Sequence, residues 1–298
     1  MTQGLFEFLK KQDVEYIRSF NFSKVSSIAI GGTVSLVAIP SDISSFIRTL
    51  DYLSKNKIKY KVIGRATNTL MLGDFYDGVI IFTNKLTNYF AAENTIYAEC
   101  GTSLSKLLRE VSALGYGGAE ELYGIPGSIG GAVFGNAGAF GKSISDSFVE
   151  GRFYSPIDKR TLIITADEMN FSYRHSIMKE REIILLSAKF KFTNKAPDTI
   201  KAKMRDIILK RVNSQPYHEK SLGSIFKRCS DIPTSRLIEE LGFKGFSVGG
   251  ASVSMKHAGF IINSGGATSS DVVELVNIIK DKIQTVYHLS VQEEIQYF

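Results

Sequence analysis

The residues of this chain best placed to do chemistry are its glycines and what surrounds them. Ten of its 26 glycines fall between Gly115 and Gly141. At the centre stands Gly124-Ile125-Pro126-Gly127-Ser128-Ile129-Gly130-Gly131-Ala132, followed by Gly135-Asn136-Ala137-Gly138. Glycine admits positive φ and lets a ligand approach the main chain. Successive N–H groups in such turns form concavities that hold phosphate. The same run, taken alone, equally suits a tight turn packed into a sheet corner. Known phosphate motifs do not account for it. A P-loop ending at Gly141-Lys142-Ser143 would need glycine at Asn136, and a dinucleotide fingerprint opening at Gly115-Tyr116-Gly117 meets Glu120 where its third glycine belongs. A second glycine turn, Gly64-Arg65-Ala66-Thr67-Asn68, follows the strand-like KYKVI. Two such turns point to a ligand with two phosphates.

The elements that must position these turns are legible from periodicity. Residues 43–53 put Ile43, Phe46, Ile47, Leu50 and Leu53 on one helical face after Asp42. Residues 104–114 do so with Leu104, Leu107, Leu108, Val111 and Leu114, with Ser103 as N-cap and Gly115 as the stop. Residues 271–287 repeat the pattern behind Ser270 as a cap. Runs at 59–64, 78–83, 95–100, 161–166 and 183–192 are rich in β-branched and aromatic residues and read as strands. The mixture predicts an α+β protein. A polar, proline-bearing stretch at 193–198 places a domain boundary, dividing 1–196 (itself split near 85–95) from a smaller α/β domain at 197–298.

Composition narrows the function. Hydrophobic residues make up 44% and charged residues 22%, which is globular rather than disordered. No apolar run reaches the ~18 residues of a membrane span, and the N-terminus shows no secretory signal. Cys100 and Cys229 lie in no metal-ligating pattern, so no metal is expected, and two unpatterned cysteines suit a reducing cytoplasm. Between Lys201 and Arg228 stand eight basic and two acidic residues, the whole of the chain's +6 surplus. Such a cluster is either a solvated helix face or an attraction for an anionic ligand. No nucleic-acid motif accompanies it.

Seven segments, in order, resemble the UDP-N-acetylenolpyruvoylglucosamine reductases. They are Gly64-x-Ala66-Thr67-Asn68, the Gly124–Gly141 stretch, Phe171-Ser172-Tyr173-Arg174-x-Ser176, Arg211-x-x-x-Gln215-Pro216, Gly223-Ser224-Ile225-Phe226-Lys227, Lys256-His257-Ala258-Gly259-Phe260 and Glu293-Glu294-Ile295. The resemblance runs from about residue 20 to 298 and fits the family's shorter subclass. It implies an FAD-binding domain of the vanillyl-alcohol oxidase type followed by a substrate domain, and a cytoplasmic monomer with no nucleic-acid or membrane partner. By resemblance, Gly64, Ala66, Thr67, Asn68, Gly127, Ser128, Gly130, Gly131, Asn136 and Ala137 would hold FAD. NADPH would be the reductant and a UDP-sugar enol ether the substrate. Arg174 would pair with the substrate carboxylate, Ser224 would protonate C2, Glu294 would meet the enol carboxylate, and Tyr173, Lys227 and Arg228 would contact substrate.

Two departures stand out. Arg228-Cys229 replaces the family's usual Asn-Pro, and Gly-Arg-Ala-Thr-Asn replaces the commoner Gly-Gly-Gly-Ser-Asn. The absence of histidine before His175 implies FAD held without a covalent link, and it weighs against a related alcohol or lactone oxidoreductase with histidine-linked flavin. A paralogue that binds nucleotide without turnover is the other reading left open.

Overall fold

The computed structural model describes residues 3–229 and 231–298. By internal contacts the chain forms two compact units. One comprises residues 1–18, 35–65 and 77–209; the other comprises 19–34, 66–76 and 210–298. The division at 209/210 lies inside the helix Pro197–Ser214, downstream of the boundary drawn from composition at 196/197. Two short N-terminal segments also join the second unit, which no composition shift signals.

In the first unit, a five-stranded antiparallel sheet runs in the order Arg160–Thr165, Phe148–Ser155, Ile184–Lys191, Thr95–Glu99, Tyr89–Ala92. Its central strands alternate, so that Phe153, Leu185, Ala188 and Phe190 go to the core. The strand Tyr60–Ile63 pairs in parallel with residues 79–82 of Phe75–Phe82, and Gly64 follows it directly. Helix Ile43–Lys55 buries Phe46, Leu50 and Leu53 and starts on a reciprocal cap between Asp42 and Ser45. Backbone N–H bonds from Ser45 hold the Asp42 carboxyl below its usual range. Helix Leu104–Ala113 buries Leu104, Leu107, Leu108 and Val111, begins on Ser103 as expected, and stops before Gly115 at φ +79°.

In the second unit, an antiparallel sheet runs Ser221–Ser224, Phe260–Asn263, Ala251–Val253, Ser247–Val248. Helix Ser269–Tyr287 supplies Val272, Leu275, Val276, Ile279 and Ile283 to its core. That helix starts two residues earlier than its apolar period suggests. Thr268, not Ser270, is the cap, because its hydroxyl takes the Asp271 N–H at 3.1 Å while the Asp271 carboxylate takes the Thr268 N–H at 2.9 Å. The C-terminal Gln296–Tyr297 pairs in parallel with Thr69–Leu70. Among the described residues no helix is long and apolar enough to cross a membrane.

Candidate active site

The two glycine turns meet. A Cβ placed on Gly64 would lie 2.2 Å from Ser128 Oγ, so nothing larger than glycine fits there without moving Ser128. Ser128 is buried, caps the six-residue helix Ile129–Phe134 and accepts the Gly131 N–H at 3.3 Å. The following amides are already engaged: Ile129 N–H donates to Thr102 O at 2.8 Å and Gly130 N–H to Cys100 O at 2.7 Å. Gly130 therefore serves close packing more than open N–H donation, whereas a Cβ on Gly131 would make only an ordinary contact, 3.7 Å from Ser128 Oγ. A Cβ on Gly130 would lie 3.1 Å from Cys100 O. Gly127 holds φ +149° and Gly124 φ +83°. Ser105, which the sequence reading passed over, fixes this loop: its Oγ donates to Ile125 O and accepts the Gly124 N–H, both at 3.1 Å. An apolar helical period signals only the other face of that helix, so nothing in the pattern flags Ser105.

The first turn continues into the second unit. Ala66 is buried at φ +49°, and Arg65 is exposed. Asn68 Nδ2 donates to Glu294 O at 3.2 Å and Asn68 O accepts the Gln296 N–H at 2.9 Å. The turn is thus tied to the segment carrying Glu294. That segment runs antiparallel to 225–227, with Glu294 N–H on Ile225 O at 2.7 Å and Lys227 N–H on Gln292 O at 2.8 Å. Ser224 sits at the end of its strand beyond a register shift at Gly223, φ +80°. It is half-buried, and its hydroxyl makes a long 3.3 Å bond to Phe226 O. Lys227 Nζ donates to Gln292 Oε1 at 3.2 Å. Arg228 is exposed, while Cys229 is buried in the core of this unit with its thiol toward Ser290 O. Glu293, not Glu294, takes Lys280 at 2.7 Å; burial, then Glu293, raises the Tyr297 hydroxyl.

In the first unit, Ser172-Tyr173-Arg174-His175 forms a tight turn closed by bonds of 3.1 and 3.3 Å between Ser172 and His175. Arg174 occupies φ +56°, a left-handed conformation uncommon for a side chain with a Cβ. Its guanidinium carbon lies 5.2 Å from the ring centre of the exposed Tyr173. Lys179 Nζ donates to Arg174 O at 2.9 Å. Asn136, at the end of the Ile129–Phe134 helix, reaches this turn with its side chain. Ala137 lies next to it, its N–H on Ala132 O at 2.8 Å. Thr67 is half-buried beside Asn68.

The strand-to-loop glycine turn at Gly64 and the glycine loop packed on it both lie within residues 34–155, which match a family model described as an FAD binding domain. The chain is a flavin-dependent oxidoreductase. Residues 215–298 match a second model, described as the C-terminal domain of UDP-N-acetylenolpyruvoylglucosamine reductase. The chain is 40% identical over 273 residues to the UDP-N-acetylenolpyruvoylglucosamine reductase of Thermosipho melanesiensis, covering 91% of each protein. It is 37% identical to that of Syntrophomonas wolfei, over 99% of this chain and 98% of the relative. The crystal structure of the corresponding reductase from Thermus caldophilus superposes with a TM-score of 0.80 at 26% identity, covering 96% of this chain and 98% of that one. This chain belongs to the UDP-N-acetylenolpyruvoylglucosamine reductase family.

Proposed function

We propose that the chain reduces the enolpyruvyl ether of UDP-N-acetylenolpyruvoylglucosamine to UDP-N-acetylmuramate, a peptidoglycan precursor, with NADPH as reductant and FAD bound without a covalent link. The observation that carries this reading is the three-way tie in the second unit. Glu294 is bonded through its N–H to Ile225, next to Ser224, and through its carbonyl to Asn68 of the first glycine turn. A hydroxyl, a carboxylate and a cofactor turn are so held in one hydrogen-bonded ladder. FAD, when bound, supplies the two-electron carrier between nicotinamide and enol ether. Gly64, Ala66, Thr67 and Asn68 on one turn, and Gly127, Ser128, Gly130 and Gly131 on the other, are the residues that would hold it.

The protein groups answer what the chemistry demands. Hydride arriving at C3 leaves negative charge on C2 and its carboxylate, which must be stabilised where it develops. The planar fork of Arg174 pairs with that carboxylate, with Tyr173 beside it. Ser224 gives its hydroxyl proton to C2, so that one hydride and one proton have added across the double bond. Lys227 and Arg228 follow Ser224 by three and four residues and favour an anionic ligand. Glu294, in its protonated form, donates a hydrogen bond to the enol carboxylate. Covalent attachment has no candidate nucleophile in Cys100: burial pushes its thiol up to about 12. Both thiols are free and buried, which suits a reducing cytoplasm, and we take the working form to be a monomer. The test is anaerobic mixing of the yellow protein with NADPH. The flavin absorbance should bleach, and adding the enolpyruvyl sugar nucleotide should restore it with stoichiometric UDP-N-acetylmuramate. Bleaching without recovery on substrate would exclude this reaction.

A further inference from the structure

The side chain of Asn136 is spent on the turn that carries Arg174. The backbone of Asn136 has its own explanation. The helix Ile129–Phe134 ends with Asn136 N–H on Val133 O at 3.2 Å and Ala137 N–H on Ala132 O at 2.8 Å, with Asn136 at φ +41°. This is a helix stop in which glycine or asparagine is the usual occupant. Glycine would serve that purpose as well, so the cap does not explain the amide. Its Nδ2 donates to Ser172 O at 2.8 Å, and its Oδ1 accepts the Ser145 N–H at 3.2 Å. Ser172 opens the turn in which Arg174 is held left-handed. A second tie runs beside the first: the buried Ser176 hydroxyl donates to Phe134 O at 2.8 Å. The end of the helix that follows the second glycine loop therefore grips the arginine turn on both sides of Arg174. These two bonds add to the Ser172–His175 pair and the Lys179 bond to Arg174 O in fixing the turn that holds Arg174 at positive φ.

We propose that Asn136 is a positioning residue for Arg174 rather than a ligand of the cofactor. The inference rests on the reading of Arg174 as partner of the substrate carboxylate. Both polar ends of the amide are satisfied inside the protein, a donor toward a carbonyl and an acceptor toward an N–H, a pair of bonds that a carboxylate in the same place cannot make.

Two substitutions separate the functions of this residue in the FAD-loaded enzyme. Asn136→Asp keeps shape, positive φ and the Ser145 bond but faces Ser172 O with an acceptor. Asn136→Gly keeps the helix stop and removes both side-chain bonds. In each, FAD content and NADPH-driven bleaching should stay within about twofold of the parent. KM for the enolpyruvyl sugar nucleotide should rise and reoxidation should slow, by roughly 10- to 100-fold together, the scale of a ~1 Å misplacement of a reacting group. The double variant Asn136→Gly/Arg174→Ala should reoxidise no more slowly than Arg174→Ala, because a residue acting only through Arg174 has nothing left to position. Loss of FAD together with bleaching in the glycine variant would make Asn136 a cofactor ligand and overturn the proposal, as would fully additive effects in the double variant. Arg174→Ala distinguishes the two claims. Normal reoxidation in that variant removes the role of Arg174 and the positioning with it. Slow reoxidation there, with near-normal rates in both Asn136 variants, overturns the positioning alone.

Discussion

Ser224 leaves its strand just past the positive-φ Gly223, with a hydroxyl whose 3.3 Å bond to Phe226 O is long enough to be surrendered. That suits a group that donates a proton in one half of a reaction and does nothing in the other. Ser224→Ala should retain FAD and bleach with NADPH at a near-parental rate. Its reoxidation by substrate should slow by ~10²–10⁴, the usual contribution of a positioned general acid. KM should change little, since the role is confined to the transition state. Single-turnover absorbance reads both halves, and a near-normal second half would remove Ser224 from the chemistry.

At the scale of elements, the site depends on how tightly loops are drawn against one another. Gly64→Ala puts a methyl 2.2 Å from Ser128 Oγ. Ser128 must then rotate and release the Gly131 N–H, a cap worth about 1 kcal/mol. The thermal midpoint should fall, and FAD affinity should weaken by about fivefold if that ~1 kcal/mol is borne by the bound state. A flavin titration that matches the parent would show that the loop yields freely. The helix Ser269–Tyr287 offers a pH test. Asp271 accepts N–H bonds from Thr268 and Gly250, and these bonds, Thr268 first, hold its carboxyl below the ordinary 3.8. A depressed folded value means stability that is fully present above the unfolded pKa and lost as pH falls through the folded one. Thermal midpoints should therefore drop below pH ~4, and Asp271→Asn should lower the neutral-pH midpoint while flattening that acid limb. An acid limb of unchanged slope in Asp271→Asn would assign it to other carboxylates.

For the whole molecule, the basic surplus of residues 201–228 is less free than its count suggests. Lys203 is paired with Glu121 at 2.5 Å, and Arg211 is buried, its guanidinium pKa lowered by desolvation. Lys201, Arg205, Lys210, Lys220 and Arg228 remain exposed. Exposed charge steers an anionic nucleotide over distances that salt screens. KM for the sugar nucleotide should rise between ~0.1 and ~1 M salt, as the screening length falls from about 10 to about 3 Å. A flat KM would leave these residues as a solvated helix face.

What the sequence determined by itself is local. An apolar period of 3.6 located the helices Ile43–Lys55 and Leu104–Ala113, because burial of one face is written in neighbouring residues, and runs rich in β-branched and aromatic residues located the strands Tyr60–Ile63, Thr95–Glu99, Arg160–Thr165 and Ile184–Lys191. Motif order identified the reductase family. The strand Phe148–Ser155 was missed because Glu150, Gly151 and Arg152 interrupt its apolar pattern; Gly151 is there because a Cβ would strike the Phe153 ring at 2.5 Å. The cap of the last long helix lies two residues before Ser270 because Thr268-x-x-Asp271 has the spacing of a reciprocal cap, a local signal that Ser270, with Val273 three residues on, lacks. Tertiary structure alone decided that Gly64 abuts Ser128, that Asn68 binds the backbone of Glu294, and that Asn136 grips the turn of Arg174. Those ties join residues 36 to 226 positions apart. A hydrogen bond between distant segments leaves no periodicity in either one, so no reading of the chain in order could have found it.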